Sequence, residues 1–361
     1  MNGSGIRLSV VISTWNRRGL VTQAIDSVIG QLYEGPLEIV VVDDGSTDGT
    51  TQELSARYAA RTLPPNRRLI IHSKPHTGIS GTMARGIDLS TGEYVSMCNS
   101  DDFWEPVRAA ELLAEVEKTP GTLIHTTCKT RMADGYQLPG GPQYRHCRET
   151  DYAVDAGGYT PLEYPGNVTL RDLLPYQPWQ KFYFRGALAI FPRKFMHGVF
   201  TMPQGLLFEE TWFLFAAMMQ GAIRYARCNS YVQRIHGQND SLPGTRTGRD
   251  MERIRCNLVL LEHAIPVLRT RPNQDVALTR RVERRARIDR YRLNVGSGLG
   301  FGKVIRGLSA TDVAAEPREI LSYTLTAKAP AVHDFLARTR QSLTGKRSDE
   351  QVRPSTPLHG R

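Results

Sequence analysis

The sequence predicts an α/β protein built on an open, mostly parallel sheet that is flanked by helices. Two apolar runs rich in β-branched residues, 7–13 (RLSVVIS) and 37–42 (LEIVVV), enclose a helical stretch at 20–32. Strand, helix and strand at this spacing are typical of a parallel βαβ unit with buried strands. The alternation continues, with helices expected at 50–60, 79–89 and 106–118 and strands at 68–72, 94–98 and 123–128.

Polar residues follow each of the first four predicted strands. They are Thr14, Trp15 and Asn16, then Asp43 and Asp44, then 76–78, and finally 99–102. Ligands of open α/β sheets bind beyond the carboxyl ends of the strands. We therefore expect these four groups to converge on one cleft.

Two carboxylate clusters stand among these residues, at 41–50 (VVDDGSTDGT) and 98–104 (CNSDDFW). A carboxylate at a strand end can accept a hydrogen bond from a nucleobase imide or a ribose hydroxyl, and a second cluster can hold Mn²⁺ or Mg²⁺ through hard oxygen ligands. Binding of a nucleoside diphosphate requires both an acceptor for the nucleoside and a cation site. Taken alone, the first cluster also suits a turn that caps the helix at 50–60.

Five motifs in order resemble glycosyltransferase family 2, whose members are inverting enzymes of the GT-A fold. They are LSVVISTWNR at 8–17, VDDGSTD at 42–48, GEYVSMCNSDD at 92–102, FEETWFLF at 208–215 and QRIHGQNDS at 233–241. The resemblance covers residues 7–240. It implies a GT-A-type sheet, a nucleoside diphosphate sugar as donor, with a UDP-sugar favoured, and assistance by a divalent metal.

The resemblance also implies roles for individual residues. Glu210 matches the base that deprotonates the acceptor hydroxyl for in-line attack, with Glu209 as the neighbour able to exchange roles with it; without the other motifs, this acidic pair would suit a helix N-terminus. The implied metal ligands are Asp102 and Asp101. The implied donor-binding residues are Thr14, Trp15, Asn16, Asp43, Asp44, Asp101, Arg85 and His236.

Three departures from the family pattern bear on these roles. Asn99 replaces the first Asp of the DxDD motif, which leaves the ion to be held mainly by Asp102. The segment HTGISGTMARGI has His76, Met83 and Ala84 where the family has an Asn-x-Gly start and an Arg-Asn pair, so a diphosphate or ribose contact is either lost or supplied elsewhere, with Arg85 as the candidate. Glu210 replaces an Asp and lengthens the base by one methylene. A degenerate, non-catalytic protein that binds nucleotide sugars or saccharides therefore stays open as an alternative.

The domain organisation follows from composition. We expect a glycosyltransferase domain over 1–240, with a donor half at 1–105 and an acceptor half at 106–240, then a basic helical region at 241–343 and a disordered tail at 344–361. Residues 241–361 carry 23 basic and 12 acidic side chains out of 46 and 36 in the whole chain. Such a surface suits peripheral contact with an anionic membrane, whereas we expect no nucleic-acid partner.

Composition also limits the cellular location and the class of acceptor that we expect for this protein. Five scattered cysteines without a CxxC pair, and the lack of a secretory signal or a long apolar run, predict free thiols in a cytoplasmic protein. The aromatic-rich run within 159–191 suits a saccharide platform or core packing equally well. The acceptor stays open as a saccharide, a lipid-linked sugar or a small molecule.

Overall fold

The computed structural model describes residues 5–135, 137, 185–198, 201–206, 209–220, 223–237, 246–270, 276–296, 308–309 and 312–313. The predicted tail at 344–361, about half of the basic region at 241–343 and most of the aromatic-rich run within 159–191 lie outside these residues. The described helices are α1 (Leu20–Ile29), α2 (Thr50–Tyr58), α3 (Gly78–Leu89), α4 (Arg108–Lys118), α5 (Glu210–Gln220), α6 (Arg246–Arg269) and α7 (Val276–Gly296).

A seven-stranded sheet forms the centre of the described fold. In spatial order its strands are β3 (Arg67–Ser73), β2 (Leu37–Asp43), β1 (Leu8–Thr14), β4 (Tyr94–Met97), β8 (Ala189–Pro192), β6 (Leu123–Thr126) and β9 (Ile223–Ala226). Strands β1 to β4 run parallel to one another, and β6 is parallel to β9. Strand β8 is antiparallel to both of its neighbours, β4 and β6. The predicted α/β class with a mostly parallel sheet is confirmed.

The side chains of the central strands alternate between two hydrophobic clusters, as the twofold period of a strand requires. Val10 and Ile12 of β1 pack in the cluster that contains the apolar faces of α1, α2 and α4. Val11 packs in the cluster formed with α3, α5, α6 and the start of α7. All seven residues of β2 are buried, which explains its unbroken apolar run. The sheet is therefore covered by helices on both faces.

A second, three-stranded sheet was not predicted from the sequence. It consists of β5 (Phe103–Trp104), β10 (Tyr231–Ile235) and β7 (Lys129–Met132), with β10 in the middle. Strand β5 directly follows Asp102, and its antiparallel pairing with β10 aligns Phe103 with Val232. The second sheet therefore brings His236, which directly follows β10, next to the second carboxylate cluster.

Chain contacts divide the protein into two compact units, Met1–Ala286 and Arg287–Arg361. In the second unit the guanidinium of Arg287 forms a bidentate pair with Asp312, with both N–O distances at 2.8 Å. Among the described residues, Cys98, Cys128, Cys228 and Cys256 are buried free thiols, whereas Cys147 lies outside them. None of the described helices is long and apolar enough to cross a membrane.

A buried carboxylate links three segments at the opposite end of the sheet from the strand-end motifs. Glu38 of β2 accepts hydrogen bonds from the Ser9 hydroxyl (2.6 Å), the Thr91 amide (2.7 Å) and the Thr91 hydroxyl (2.9 Å). The Ser9 hydroxyl in turn accepts from the Gly92 amide at 2.9 Å. The network fixes the turn between α3 and β4 against β1 and β2.

We expect Glu38→Ala to lower the free energy of unfolding by about 3 kcal/mol, because it leaves several buried donors without an acceptor. Urea denaturation measures this change. Glu34→Ala is the matched control, since Glu34 is exposed four residues earlier. A loss for Glu38→Ala no larger than that for Glu34→Ala would contradict the structural role of this network.

Candidate active site

A cleft of about 350 Å³ opens at the carboxyl ends of β1, β2 and β4. Its volume lies in the range of small-molecule binding sites. The lining combines aromatic, acidic and basic side chains from segments far apart in sequence. The lining residues are Ser13, Thr14, Trp15, Arg17, Asp44, His76, Gly78, Ile79, Thr82, Asn99, Ser100, Asp101, Asp102, Arg185, Ala187, Glu209, Glu210 and Gln233.

Two of the predicted donor-binding residues shape the loops behind the cleft instead of lining it. Asn16 has a left-handed backbone conformation (φ 51°), and its side-chain oxygen accepts a hydrogen bond from the Thr47 amide at 2.8 Å. Asp43 is buried, and its carboxylate accepts hydrogen bonds from the hydroxyls of Ser46 and Thr51. These contacts hold the VDDGSTD loop against the end of β1.

Asp44 lines the cleft and is surrounded by donors. Its carboxylate accepts from the amides of Thr77 and Gly78 at 2.9 Å each and pairs with the Lys74 ammonium and the His76 ring. Burial acts to raise the pKa of Asp44, but the hydrogen bonds from Lys74 and Thr77 outweigh it and hold the pKa below its usual value. Asp44 is therefore an ionised carboxylate that also fixes the loop after β3.

An aromatic face is open to the cleft beside Asp44. Trp15 is 49% exposed, and its ring centroid lies 4.7 Å from that of His76 with the planes tilted by 33°. A half-exposed indole in a cleft is available to contact another flat ring. Trp15 and Asp44 together offer a stacking surface and an acceptor at the same end of the cleft.

The two aspartates of the second carboxylate cluster have different surroundings. Asp102 is buried and accepts hydrogen bonds from the Tyr231 hydroxyl (2.6 Å), the Arg234 amide (2.8 Å) and the Asn99 side chain (3.0 Å). Asp101 faces the cleft, where its Oδ2 lies 3.2 Å from His236 Nε2. Burial and the charge of Asp101 raise the pKa of Asp102, while the three donors oppose that shift.

A pair of adjacent carboxyl groups lies elsewhere on the wall of the cleft, at the start of α5. Glu209 is 6% exposed and Glu210 is partly buried. Burial raises the pKa of both groups, and the charge of Glu210 raises that of Glu209 further. Arg185, which also lines the cleft, opposes the shift at Glu210. A carboxyl group with a raised pKa in a cleft is a candidate for proton transfer.

Not all of the predicted site residues lie at the cleft. The structure brings Thr14, Trp15, Asp44, Asp101, Asp102, Glu209 and Glu210 together there. His236 reaches the cleft through Asp101. Arg85 is exposed and does not line it; its Nε lies 3.3 Å from His72 Nε2. Arg85 stands seven residues along α3 from Gly78, which is about 10 Å of helix axis, and this distance explains its separation from the cleft.

Three cations of the site were not predicted. Lys74 directly follows β3, so the rule that located the other polar groups would also have found it. Arg17 lies beside Asp101, with its Nε 3.9 Å from the Asp101 carboxylate. Arg185 precedes the antiparallel strand β8, and its amide donates to Nε2 of the buried His125 at 3.1 Å. The four residues of β8 carry no periodic pattern that would predict an antiparallel strand at this point in the sequence.

Residues 9–191, half of the chain, match the model of glycosyl transferase family 2, and the chain belongs to that family. It is 34% identical over 121 residues to a PGL/p-HBAD biosynthesis glycosyltransferase of Mycobacterium bovis, which covers 32% of this chain and 44% of that protein. It is 29% identical over 136 residues to a chondroitin synthase of Pasteurella multocida, covering 37% of this chain and 13% of the relative.

Other relatives share only part of their length with this chain. An uncharacterized Mycobacterium tuberculosis protein is 28% identical over 118 residues, which is 32% of this chain and 33% of that protein. Crystallised TarS of Staphylococcus aureus, residues 1–349, matches 95% of this chain and 93% of its own with a TM-score of 0.54 at 14% identity. This likeness shows that the fold is of the GT-A type.

Proposed function

We propose that the protein transfers a sugar from a nucleoside diphosphate sugar to an acceptor hydroxyl, with inversion at the anomeric carbon and Glu210 as the base. The observation that carries this proposal is that one cleft combines three groups suited to the three parts of such a reaction. They are the Trp15 and Asp44 end, the Asp101 and His236 pair, and the buried carboxyl pair at Glu209 and Glu210.

The nucleoside lies at the Trp15 end in this proposal. The exposed indole supplies a surface on which a base stacks, and the Asp44 carboxylate lines the cleft beside it. Thr14 lines the same part of the cleft, and its buried hydroxyl has no partner among the described residues. A buried hydroxyl without a partner is costly, so a ribose or base contact at Thr14 favours donor binding.

A divalent cation fits beside the diphosphate, with Asp101 and His236 as its protein ligands. No group of three or more acidic, His or Cys side chains able to hold a metal exists among the described residues. Manganese and magnesium are commonly bound by one or two protein groups together with substrate phosphates. We assign ligation to Asp101 and not to Asp102, because three donors already occupy the Asp102 carboxylate. A metal held there would neutralise charge on the departing diphosphate.

Glu210 acts on the acceptor. Its carboxylate takes the proton of the attacking hydroxyl while that oxygen forms a bond to the anomeric carbon and the diphosphate leaves from the opposite face. The raised pKa makes Glu210 a stronger base than an exposed carboxylate. The charge of Arg185 acts to lower the pKa of Glu210, whereas the charge of Glu210 acts to raise that of Glu209, and these causes favour Glu210 as the base.

A uridine nucleotide is the donor that we propose. Support comes from the TarS relative in fold, which was crystallised with UDP-GlcNAc and superposes on this chain with a TM-score of 0.53. The acceptor is a hydroxyl of a saccharide, of a lipid-linked sugar or of a small molecule. The competing function is binding of a nucleotide sugar without catalysis, which a turnover assay distinguishes from transfer.

We expect Glu210→Gln to keep donor affinity within about twofold while lowering kcat by about a hundredfold or more, because only proton removal from the acceptor is lost. The assay measures release of UDP from a panel of UDP-sugars, with water or added saccharides as acceptor, and Glu209→Gln is the matched control. Full activity of Glu210→Gln would sink the base assignment. Donor binding without turnover by the unaltered protein would favour the non-catalytic function.

The metal assignment predicts different effects for the two aspartates. Asp101→Asn should weaken the binding of Mn²⁺ in the presence of UDP by about tenfold or more, because a charged oxygen ligand is removed. Asp102→Asn should change this affinity less and lower the melting temperature instead. Electron paramagnetic resonance of free Mn²⁺ measures the affinity, and a larger loss of Mn²⁺ affinity in Asp102→Asn would overturn the assignment.

A further inference from the structure

The turn that carries Asp101 is held at both ends by one tyrosine. The Asp102 amide donates to the Asn99 carbonyl at 3.1 Å, which closes the turn 99–102 with Asp101 inside it. The Tyr231 hydroxyl accepts from the Asn99 amide at 3.2 Å and donates to the Asp102 carboxylate at 2.6 Å. A displacement of Tyr231 would therefore move both ends of the turn.

The strand that carries this tyrosine contacts the same turn at two further points. Tyr231 is the first residue of β10, and the Arg234 amide of that strand donates to the Asp102 carboxylate at 2.8 Å. His236 directly follows β10, and its Nε2 lies 3.2 Å from Asp101 Oδ2. The position of β10 against the turn therefore sets the spacing between Asp101 and His236.

A buried guanidinium supports the pairing of β10 with β5. Strand β5 has two residues, and its Trp104 is aligned with Tyr231. A strand this short forms few ladder hydrogen bonds, so side-chain packing has to hold the alignment. The guanidinium carbon of Arg108, the first residue of α4, lies 5.1 Å from the ring centroid of Trp104 and 5.0 Å from that of Tyr231. Both distances are within the range of a cation–π interaction.

The same guanidinium joins the second sheet to the main sheet. Arg108 Nη2 donates to the hydroxyl of Thr126, at the end of β6, at 3.1 Å. That hydroxyl donates in turn to the Leu188 carbonyl, just before β8, at 2.9 Å. Arg108 and Thr126 are both fully buried. Arg108 therefore holds the pair of rings in a fixed place relative to β6 and β8.

Stability alone does not account for a guanidinium at this place. Within the described part of the chain, Arg108 Nε and Nη1 are buried without a hydrogen-bond partner. Burial of a cation with unsatisfied N–H groups is costly, and an apolar side chain of similar length would avoid this cost. An apolar side chain would not supply the cation–π contacts with both rings or the hydrogen bond to Thr126. The buried charge is thus better explained by the alignment that it maintains.

We propose that Tyr231 and Arg108 are positioning residues for the cation ligand Asp101. Tyr231 joins the two ends of the turn, and Arg108 holds Tyr231 in its pairing with Trp104. Neither Tyr231 nor Arg108 lines the cleft, so both act through Asp101. The inference rests on the proposed function, since it takes Asp101 to be a ligand of the divalent cation.

Removal of the tyrosine hydroxyl tests the first part of the proposal. Tyr231→Phe keeps the ring and should weaken the binding of Mn²⁺ in the presence of UDP by about five- to tenfold, because the group that holds the ligand turn is lost. The affinity for UDP without Mn²⁺ should stay within about twofold, since the Trp15 end of the cleft is unchanged. Electron paramagnetic resonance of free Mn²⁺ and titration calorimetry measure the two affinities.

A second background separates positioning from general destabilisation. In Asp101→Asn, the further change Tyr231→Phe should cause no additional loss of Mn²⁺ affinity, because the hydroxyl acts only through Asp101. Equal losses in the two backgrounds would overturn the proposal. Glu38→Ala, at the opposite end of the sheet, is the destabilised control and should leave Mn²⁺ affinity unchanged. If Glu38→Ala weakens Mn²⁺ binding as much as Tyr231→Phe does, the effect is one of stability and the proposal is wrong.

Replacement of the buried cation tests the second part. Arg108→Met should weaken Mn²⁺ binding severalfold without lowering the melting temperature, because the cost of burying the charge disappears together with the alignment. Unchanged Mn²⁺ affinity in the folded variant would overturn the role of Arg108. If Asp101→Asn alone leaves Mn²⁺ affinity unchanged, the metal assignment of the proposed function fails. A loss for Asp101→Asn without a loss for Tyr231→Phe would overturn only the positioning role.

Discussion

The parallel pairing of β1 with both β2 and β4 is the constraint on which the site depends. Thr14 at the end of β1 is paired with Asp43 at the end of β2, and the Asp44 amide donates to the Thr14 carbonyl at 2.9 Å. On the β4 side of β1, the Cys98 amide donates to the Val11 carbonyl at 3.0 Å, and the second carboxylate cluster follows directly. This register brings the stacking residue and both carboxylate clusters to one edge of the sheet. Each of these strands is buried on both faces, so a slip by one residue would move every side chain into the hydrophobic cluster on the opposite face.

The charges of the cleft are balanced group by group. Asp44 pairs with Lys74, and Asp101 lies beside Arg17 and His236, while the charge of Arg185 acts to lower the pKa of Glu210. Asp102, which is buried, is held by neutral donors, including the Tyr231 hydroxyl and the Arg234 amide. A cleft with this many acidic groups would repel a diphosphate if the groups were unpaired. The cations on its wall reduce this repulsion.

The sequence predicts the first half of the fold well because β1 to β4 and their helices have strong, alternating periodic patterns. It also predicts which polar residues meet, since strand ends of a parallel sheet share an edge. It places Arg85 at the site, whereas Arg85 lies two helical turns from Gly78 and does not line the cleft. It does not predict β8 or the second sheet, because strands of two to five residues carry little pattern. Arg185 and the contacts of Asp102 with Tyr231 and Arg234 depend on those elements.

The central claim is that this cleft binds a nucleoside diphosphate together with a divalent cation. Titration calorimetry of the purified chain with UDP, with and without Mn²⁺, tests it most directly, with GDP and TDP as alternative nucleotides. We expect saturable binding of UDP that Mn²⁺ strengthens by about tenfold or more and that Trp15→Ala abolishes. No binding of any of the three nucleotides in the presence or absence of Mn²⁺ would contradict it.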